Sequence, residues 1–201
     1  MTREIEVYVI LTNTGTLFSK TIKLFTRDAL NHASIAFDSE LNEVYSFGRL
    51  HQQNPFLAGF VKENLRGQLF EQSDCALYRC RVNESTYVKM RDLIQHMEQN
   101  RDLYRYNFLG VFGVLFNIQM KREYSYFCSQ FVASVFEESG VHLLNKSSLL
   151  VTPGDLENTS KLELVYEGAL QSYIRMNMEL NMNLNKNKNR PLQAVDSTRT
   201  A

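Results

Sequence analysis

The chain has 201 residues, of which 44% are hydrophobic and 22% are charged, and these values are ordinary for a soluble globular protein with one domain. Its 22 Lys and Arg residues balance 22 Asp and Glu residues, so there is no electrostatic argument for a nucleic-acid-binding protein. The three cysteines show no CxxC spacing, which argues against zinc and redox motifs. Nothing in the sequence argues for a metal or an organic cofactor.

The N-terminal sequence, MTREIEVYVILTN, lacks the features of a signal peptide, because acidic residues lie within its apolar run and no small-residue cleavage site follows. No apolar stretch reaches the roughly 18 residues that a membrane span requires. The densest apolar stretch, Phe108 to Ile118, is too short. These features predict a cytoplasmic protein without a transmembrane segment, in a reducing compartment where a free thiol persists.

The first predicted element is a buried strand over Ile5–Thr12, which is rich in β-branched residues. After a break that begins at Asn13, apolar residues at helical spacing predict a helix over Thr16–Phe25. His32–Phe37 and Glu43–Phe47 follow as two strands around a polar turn, so a β-hairpin is predicted.

Alternation along this hairpin gives its two faces different characters. The face of His32 carries mostly small side chains, namely Ser34, Ala36, Val44, Ser46 and Gly48. A helix packed closely on this face would bring its first turn near His32. The opposite face carries Tyr45 and Phe47 and is typical of an ordinary core.

The middle of the chain combines segments with a clear periodicity and segments without one. Leu50–Gly67 has one proline and mixed polarity, which indicates a loop with room for a short helix. Ala76–Val82 alternates like a strand, and Asn83–Asn100 has the apolar spacing of a helix that starts after Asn83 or Ser85 as a cap. Tyr104–Ile118 is aromatic and apolar, and a pocket lining, a buried helix or a loop explains it equally well.

The C-terminal part begins with a turn predicted over Val151–Leu156, where Pro153 and Gly154 lie. A short strand over Leu162–Glu167 and a helix over Gly168–Arg175 follow. From Met176 onward the composition shifts to Asn, Met and Lys, which cannot bury a face and predicts disorder. The sequence therefore predicts a single domain over residues 1–175 and a disordered tail over residues 176–201.

The main functional candidate is Cys128, because it lies where a helix is predicted to begin. The apolar residues after it fall at helical spacing, at Phe131, Val132, Val135 and Phe136, and Gly140 ends the pattern. In a first helical turn, the helix dipole and unpaired N–H groups lower the pKa of a thiol and can also bind an oxyanion. The alternative is that Cys128 is a small buried apolar residue of the core. Cys75 and Cys80 are interpreted as structural.

The order of these elements resembles the circularly permuted papain-like hydrolases of the NlpC type, in which the histidine precedes the cysteine. The similar segments span most of residues 4–156 and are NHASIAFD around His32, VYSFGR after it, YRYNFLG around Tyr106, YFCSQFV around Cys128 and TPGDL around Pro153. The resemblance implies an α+β papain-like fold, in which the cysteine helix packs on an antiparallel sheet that bears the histidine.

The resemblance also implies roles for four residues. Cys128 is expected to be the nucleophile and His32 the general base that takes the thiol proton and returns it to the leaving group. Tyr106 is expected to help polarise the scissile carbonyl. The polar group that orients the histidine falls, counted across the hairpin, on Ser46, where relatives more often carry an acid, an amide or a second histidine.

Three functions are compatible with these features. The first is a cysteine hydrolase of amide bonds that acts on a small molecule, a peptide or a cell-wall fragment. The second is an acyltransferase or lipid hydrolase, in which Tyr104–Phe116 holds a lipid-linked acyl chain. The third is a non-enzymatic binding module, in which a serine at position 46 no longer supports turnover. The substrate and the oligomeric state do not follow from the sequence.

Overall fold

The computed structural model describes residues 3–13, 30–51 and 54–188, and these form a mixed α+β fold around a six-stranded antiparallel sheet. Its strands are β1 (Glu4–Thr12), β2 (His32–Ala36), β3 (Val44–His51), β4 (Asn54–Lys62), β5 (Asp74–Asn83) and β8 (Glu163–Ala169), in the order β4-β3-β2-β1-β5-β8. Two short strands, β6 (Arg105–Tyr106) and β7 (Ser125–Tyr126), pair in parallel. The predicted α+β class with an antiparallel sheet is confirmed.

The described residues also form five α-helices, which are α1 (Glu84–Gln99), α2 (Phe108–Leu115), α3 (Cys128–Glu138), α4 (Pro153–Glu157) and α5 (Leu170–Lys188). The Asn83 side chain, one of the two caps that the sequence allows, caps α1 by accepting a hydrogen bond from the Thr86 N–H. The helix predicted over Thr16–Phe25 lies outside the described residues. None of the helices that the structure describes has the length and apolarity needed to cross a membrane.

Helices cover both faces of the sheet. On one face, α3 packs on the sheet through residues that include Val9, Ile35, Phe47, Phe131 and Phe136. On the other face, α5 packs through residues that include Ile10, Leu77, Leu170 and Ile174. The ring of Phe131 lies 5.2 Å from that of Phe47, so packing against β3 fixes the helix that begins at Cys128.

The face on which α3 packs differs from the expectation. Instead of the small-residue face of the hairpin, α3 covers the face of Tyr45 and Phe47. Large aromatic side chains offer more apolar area to bury, which favours this side. The small-residue face instead carries Ser34 and Ser46, whose buried hydroxyls need polar partners.

The loop predicted over Leu50–Gly67 is wrong, because β4 occupies its centre and pairs with β3. Pro55 and Gly59 interrupt the sequence pattern of this strand and conceal it. Gly59 is needed there, since a Cβ atom at this position would lie 2.7 Å from the Tyr104 carbonyl oxygen. The strand thus lets the chain before β6 pass directly over it.

We expect Gly59→Ala to destabilise the fold by roughly 1–3 kcal/mol, because the added methyl group meets a backbone oxygen that cannot move aside. Gly48 is its partner across β3 and β4 and serves as the control. A Cβ atom at Gly48 meets only side chains, the nearest at 3.3 Å, so Gly48→Ala should change the stability much less. Urea unfolding curves measure both changes, and equal midpoints for the two variants would contradict this account.

Residues 176–188 were predicted to be disordered, yet they continue α5. Asn177 donates to the Ser39 carbonyl, and the Asn181 side chain lies 2.8 Å from a Glu40 carboxylate oxygen. Residues four apart share one helix face, so both asparagines reach the same turn of the hairpin. Polar contacts thus hold this part of the helix where an apolar stripe is missing. Residues 189–201 lie outside the described part of the chain.

Candidate active site

Cys128 is the first residue of α3, and its position agrees with the apolar spacing of the sequence. The preceding residue, Phe127, is extended and forms the N-cap. The backbone N–H groups of Ser129 and Ala33 both donate hydrogen bonds to the Cys128 sulfur. The residue is 4% exposed, so this thiol lies in a nearly dry pocket of N–H donors.

His32 begins β2 and makes a hydrogen bond with the Cys128 side chain. β2 pairs with β3 at Ile35–Tyr45 and Ala36–Val44, and the described ladder contains no further pair toward His32. The two strands are therefore unpaired at the end where α3 begins. The structure brings the two residues named by the sequence together at this end.

A third residue, Glu63, completes the cluster, and it is not among the site residues predicted from the sequence. One of its carboxylate oxygens, Oε1, lies 2.7 Å from His32 Nε2, and its side chain is 6% exposed. Glu63 directly follows β4, and its N–H donates to the Val44 carbonyl. Because Nε2 faces Glu63, we infer that Nδ1 is the ring nitrogen that faces the sulfur.

The structure corrects the expected position of Ser46. Its hydroxyl donates to Glu63 Oε1 at 2.7 Å, and the Ser34 hydroxyl donates to Oε2 at 2.6 Å. Ser46 therefore holds the carboxylate that orients His32 and does not orient the ring itself. The position beside the ring belongs to Gly48, where a Cβ atom would lie 3.5 Å from His32 Cε1. Glu63, whose side chain is longer than that of serine, contacts the ring directly, and Ser46 contacts Glu63.

The signal that identifies Glu63 is the strand that precedes it. Tyr45 pairs with Lys62 and Ser46 with Val61, so Glu63 comes next in this register, beside Val44. Alternate residues of a strand share a face, which places Glu63 on the same side as Val61 and Ser46. Once β4 is assigned as a strand, the sequence itself indicates an acidic residue on the histidine face.

The pKa values of the three groups all shift toward their charged forms. Burial opposes the charge of His32, but the Glu63 carboxylate and the hydrogen bonds with Cys128 and Glu63 outweigh it and raise the His32 pKa to about 10. Burial also opposes the thiolate, but His32 and the N–H groups of Ala33 and Ser129 outweigh it and lower the Cys128 pKa. The Glu63 pKa is lowered by His32 and the two serine hydroxyls, again against burial. The shifts therefore favour an imidazolium and a carboxylate at neutral pH, and they make the Cys128 thiolate easier to form than that of a free cysteine.

Tyr106 makes hydrogen bonds with the side chain and the backbone of Cys128. It ends β6, which pairs with β7 through Tyr106 and Tyr126. The next residue, Asn107, caps α2 by accepting a 2.9 Å hydrogen bond from the Gly110 N–H. Burial and the nearby Cys128 thiolate raise the Tyr106 pKa well above its usual value, so the hydroxyl keeps its proton and remains a donor.

The pKa shifts predict how the reactivity of the thiol depends on pH. A lowered pKa means that the Cys128 thiolate forms below the usual pKa of 9.0, so iodoacetamide should alkylate it in neutral buffer. Cys75, whose pKa burial raises to about 12, should remain unmodified there. In His32→Ala the cation is lost while burial remains, so the midpoint of the alkylation profile should move upward.

Alkylation rates at Cys128, followed by peptide mass spectrometry across a pH series, measure this midpoint. His96→Ala is the matched control, because His96 lies exposed on α1. The charged pair would be disproved if the midpoints of wild type and His32→Ala coincided.

Comparison with protein-family models and with curated proteins yields no match for this chain. The case for a function therefore depends on the geometry of Cys128, His32, Glu63 and Tyr106.

Proposed function

We propose that the protein is a cysteine hydrolase of amide bonds, built on a permuted papain-like arrangement. The observation that carries this proposal is the continuous set of hydrogen bonds from Cys128 through His32 to Glu63. A nucleophile, a proton carrier and a group that orients the carrier are the three parts that covalent acyl transfer requires. A histidine with a purely structural role would need only the hydrogen bond to Glu63, and would not need a buried cysteine side chain as a second partner.

In the first half of the reaction, the Cys128 thiolate attacks the carbonyl carbon and forms a C–S bond, while the carbonyl π electrons move to oxygen. The Tyr106 hydroxyl is the donor for this oxyanion once the thiolate that it faced is consumed, and the Cys128 N–H, which donates to the Tyr106 oxygen, holds the hydroxyl in place. As the C–N bond breaks, the His32 imidazolium gives its proton to the leaving nitrogen. An amine departs, and a thioester on Cys128 remains.

In the second half, water attacks the thioester while the now neutral His32 takes one of its protons. The C–S bond breaks, a carboxylic acid leaves, and the Cys128 thiolate and the His32 imidazolium are restored. Glu63 stays ionised throughout and keeps the imidazole in the tautomer that points a nitrogen at the sulfur. Ser34 and Ser46 fix the carboxylate through its two oxygens.

A lipid-linked acyl group is the second candidate substrate, because the same thioester can form from a lipid and pass to water, an alcohol or an amine. The observation that favours it is the apolar side of α2, which begins next to Tyr106 and exposes Leu109 and Phe112. The binding module is favoured less, since its basis was a serine as the sole partner of His32. Glu63 supplies a carboxylate partner for His32.

The experiment is to trap the thioester. Wild-type protein, Cys128→Ala and Cys80→Ala are incubated with peptidyl and fatty-acyl aminocoumarin amides and quenched in acid. The masses of the intact proteins are then measured by mass spectrometry. Wild type and Cys80→Ala should gain the mass of the acyl group and release the coumarin, whereas Cys128→Ala should do neither. Turnover that persists in Cys128→Ala would overturn the proposal, as would wild type that neither acquires acyl mass nor releases coumarin with any of these amides.

A further inference from the structure

The helix α2 leaves one side open to solvent. Leu109 is 47% exposed, Phe112 is 54% exposed and Phe116, just past the helix, is 72% exposed. Residues three and seven positions apart share one side of a helix, so these side chains form a continuous stripe. Ile118, which is 56% exposed, follows. We call these four residues the α2 apolar face, and exposed apolar patches of this kind mark interaction sites.

The fold holds this face in place. Asn117 has a positive φ of 55°, and the N–H groups of Asn117 and Ile118 donate to the carbonyls of Val114 and Gly113 at 3.2 and 2.8 Å. These two hydrogen bonds form a Schellman motif, which closes the C-terminus of a helix. A Cβ atom on Gly113 would lie 2.5 Å from the Ile118 carbonyl oxygen, so the returning chain lies directly against α2. Ile118 is therefore held in its exposed position by an ordered turn, and its exposure does not result from fraying of the helix end.

The charges around the face favour a negatively charged partner. Between residues 104 and 127 the chain carries three cations, Arg105, Lys121 and Arg122, and one anion, Glu123, which gives +3 − 1 = +2. All four side chains are exposed, whereas the whole chain carries no net charge. Lys121 also lies near the Glu138 carboxylate, which leaves Arg105 and Arg122 as the stronger attraction for an anion.

From these features we propose that the α2 apolar face docks the protein on an anionic lipid membrane. The four side chains of the face contain no hydrogen-bonding group, which suits the acyl region below the lipid headgroups. The neighbouring cations suit the phosphates of the headgroup layer. Tyr106 lies two residues before α2, so docking brings Cys128 close to the membrane surface, whatever bond it acts on.

The test is co-sedimentation of the full chain with phosphatidylcholine vesicles and with mixed phosphatidylcholine–phosphatidylglycerol vesicles. Wild type should bind the mixed vesicles, and binding should weaken as salt is added. Phe112→Ser together with Phe116→Ser should lower the partition constant more than tenfold, because each phenylalanine loses its apolar burial. Arg122→Glu should lower it at least roughly fivefold on the mixed vesicles and leave the weaker binding to neutral vesicles unchanged.

Val88→Ser together with Leu164→Ser is the matched control, since both residues are 50% exposed and lie on α1 and β8. The proposal is overturned if this control loses binding equally, or if wild type binds neither kind of vesicle. It is also overturned if light scattering shows a dimer that becomes a monomer in the Phe112 and Phe116 double variant, because the occupant is then a second copy. Cys128→Ala should bind like wild type, so failure of docking and failure of the hydrolase proposal are separate results.

Discussion

Glu63→Ala is expected to lower kcat/KM on an amide substrate by roughly 10²–10⁴-fold and to destabilise the fold by about 3–5 kcal/mol. The variant leaves the His32 imidazolium buried without its carboxylate, and it leaves the hydroxyls of Ser34 and Ser46 without an acceptor. Removing one partner of a buried charged network costs more than the network contributes when intact, because the remaining groups stay desolvated. Steady-state kinetics and urea unfolding measure the two losses.

Two further variants separate the causes of this loss. In Glu63→Gln the amide oxygen still accepts from His32 Nε2, so the ring keeps its orientation and kcat/KM should fall only about tenfold. The pKa of His32 should fall below about 10, because the charge that raises it is lost, and the high-pH limb of the rate profile should move down with it. Glu43→Ala is the control, since Glu43 pairs with Arg91 at the surface and should cost less than about 1 kcal/mol.

The role of Glu63 as an orienting residue is refuted if Glu63→Ala retains wild-type kcat/KM in protein that is shown to be folded. A loss of stability with unchanged kinetics would identify Glu63 as a purely structural residue of the sheet. Equal losses in Glu63→Gln and Glu63→Ala would instead show that charge, and not orientation, is what His32 requires.

The positions of Cys128 and His32 could be predicted because each depends on a short, periodic segment. The helix that begins at Cys128 is marked by apolar residues three and four apart and by Gly140, whose positive φ of 90° ends it. The strand that begins at His32 is marked by alternation over a few residues. Signals of this kind are local, so they can be recognised without knowing the rest of the fold.

Glu63 could not be predicted in the same way, because its position depends on the pairing of β4 with β3. Neither Pro55 nor Gly59 favours a strand interior, and the strand is established by its antiparallel pairing with β3, beside which the Tyr104 backbone approaches Gly59. The helix beyond Met176 was missed for a related reason. This helix is stabilised by contacts of Asn177 and Asn181 with the turn at Ser39 and Glu40, which is distant in the sequence. Amino-acid composition does not reveal such contacts.

The two faces of the hairpin position different residues of the site. The aromatic face fixes α3 through Phe131, and so places the thiol. The small-residue face leaves room for a buried carboxylate with its two serine donors, and so holds the imidazole. Because the thiol and the imidazole are anchored to opposite faces of one sheet, they meet at the end of β2, where pairing with β3 stops. Packing on one face and hydrogen bonding on the other therefore together set the distance between the Cys128 sulfur and the His32 ring.

Tyr106→Phe is expected to lower kcat roughly 10²–10³-fold with little change in KM, because the lost hydroxyl acts mainly on charge that develops in the transition state. The ring itself remains, so the packing of Tyr106 against Phe108, with centroids 4.8 Å apart, should persist. Alkylation of Cys128 by iodoacetamide needs no oxyanion donor, so its rate in neutral buffer should stay within about tenfold of wild type. This combination of lost turnover and retained thiol reactivity separates Tyr106 from His32 and Glu63.

Tyr104→Phe provides the matched control, since Tyr104 is also a buried tyrosine of the same segment and packs edge-to-face against Phe47 and Tyr124. It should keep both turnover and alkylation close to wild type. If Tyr106→Phe raised KM while kcat stayed unchanged, the hydroxyl would bind the substrate equally in the ground and transition states. If it slowed alkylation as strongly as turnover, the role of the hydroxyl would be to hold the thiolate, and another group would have to donate to the oxyanion.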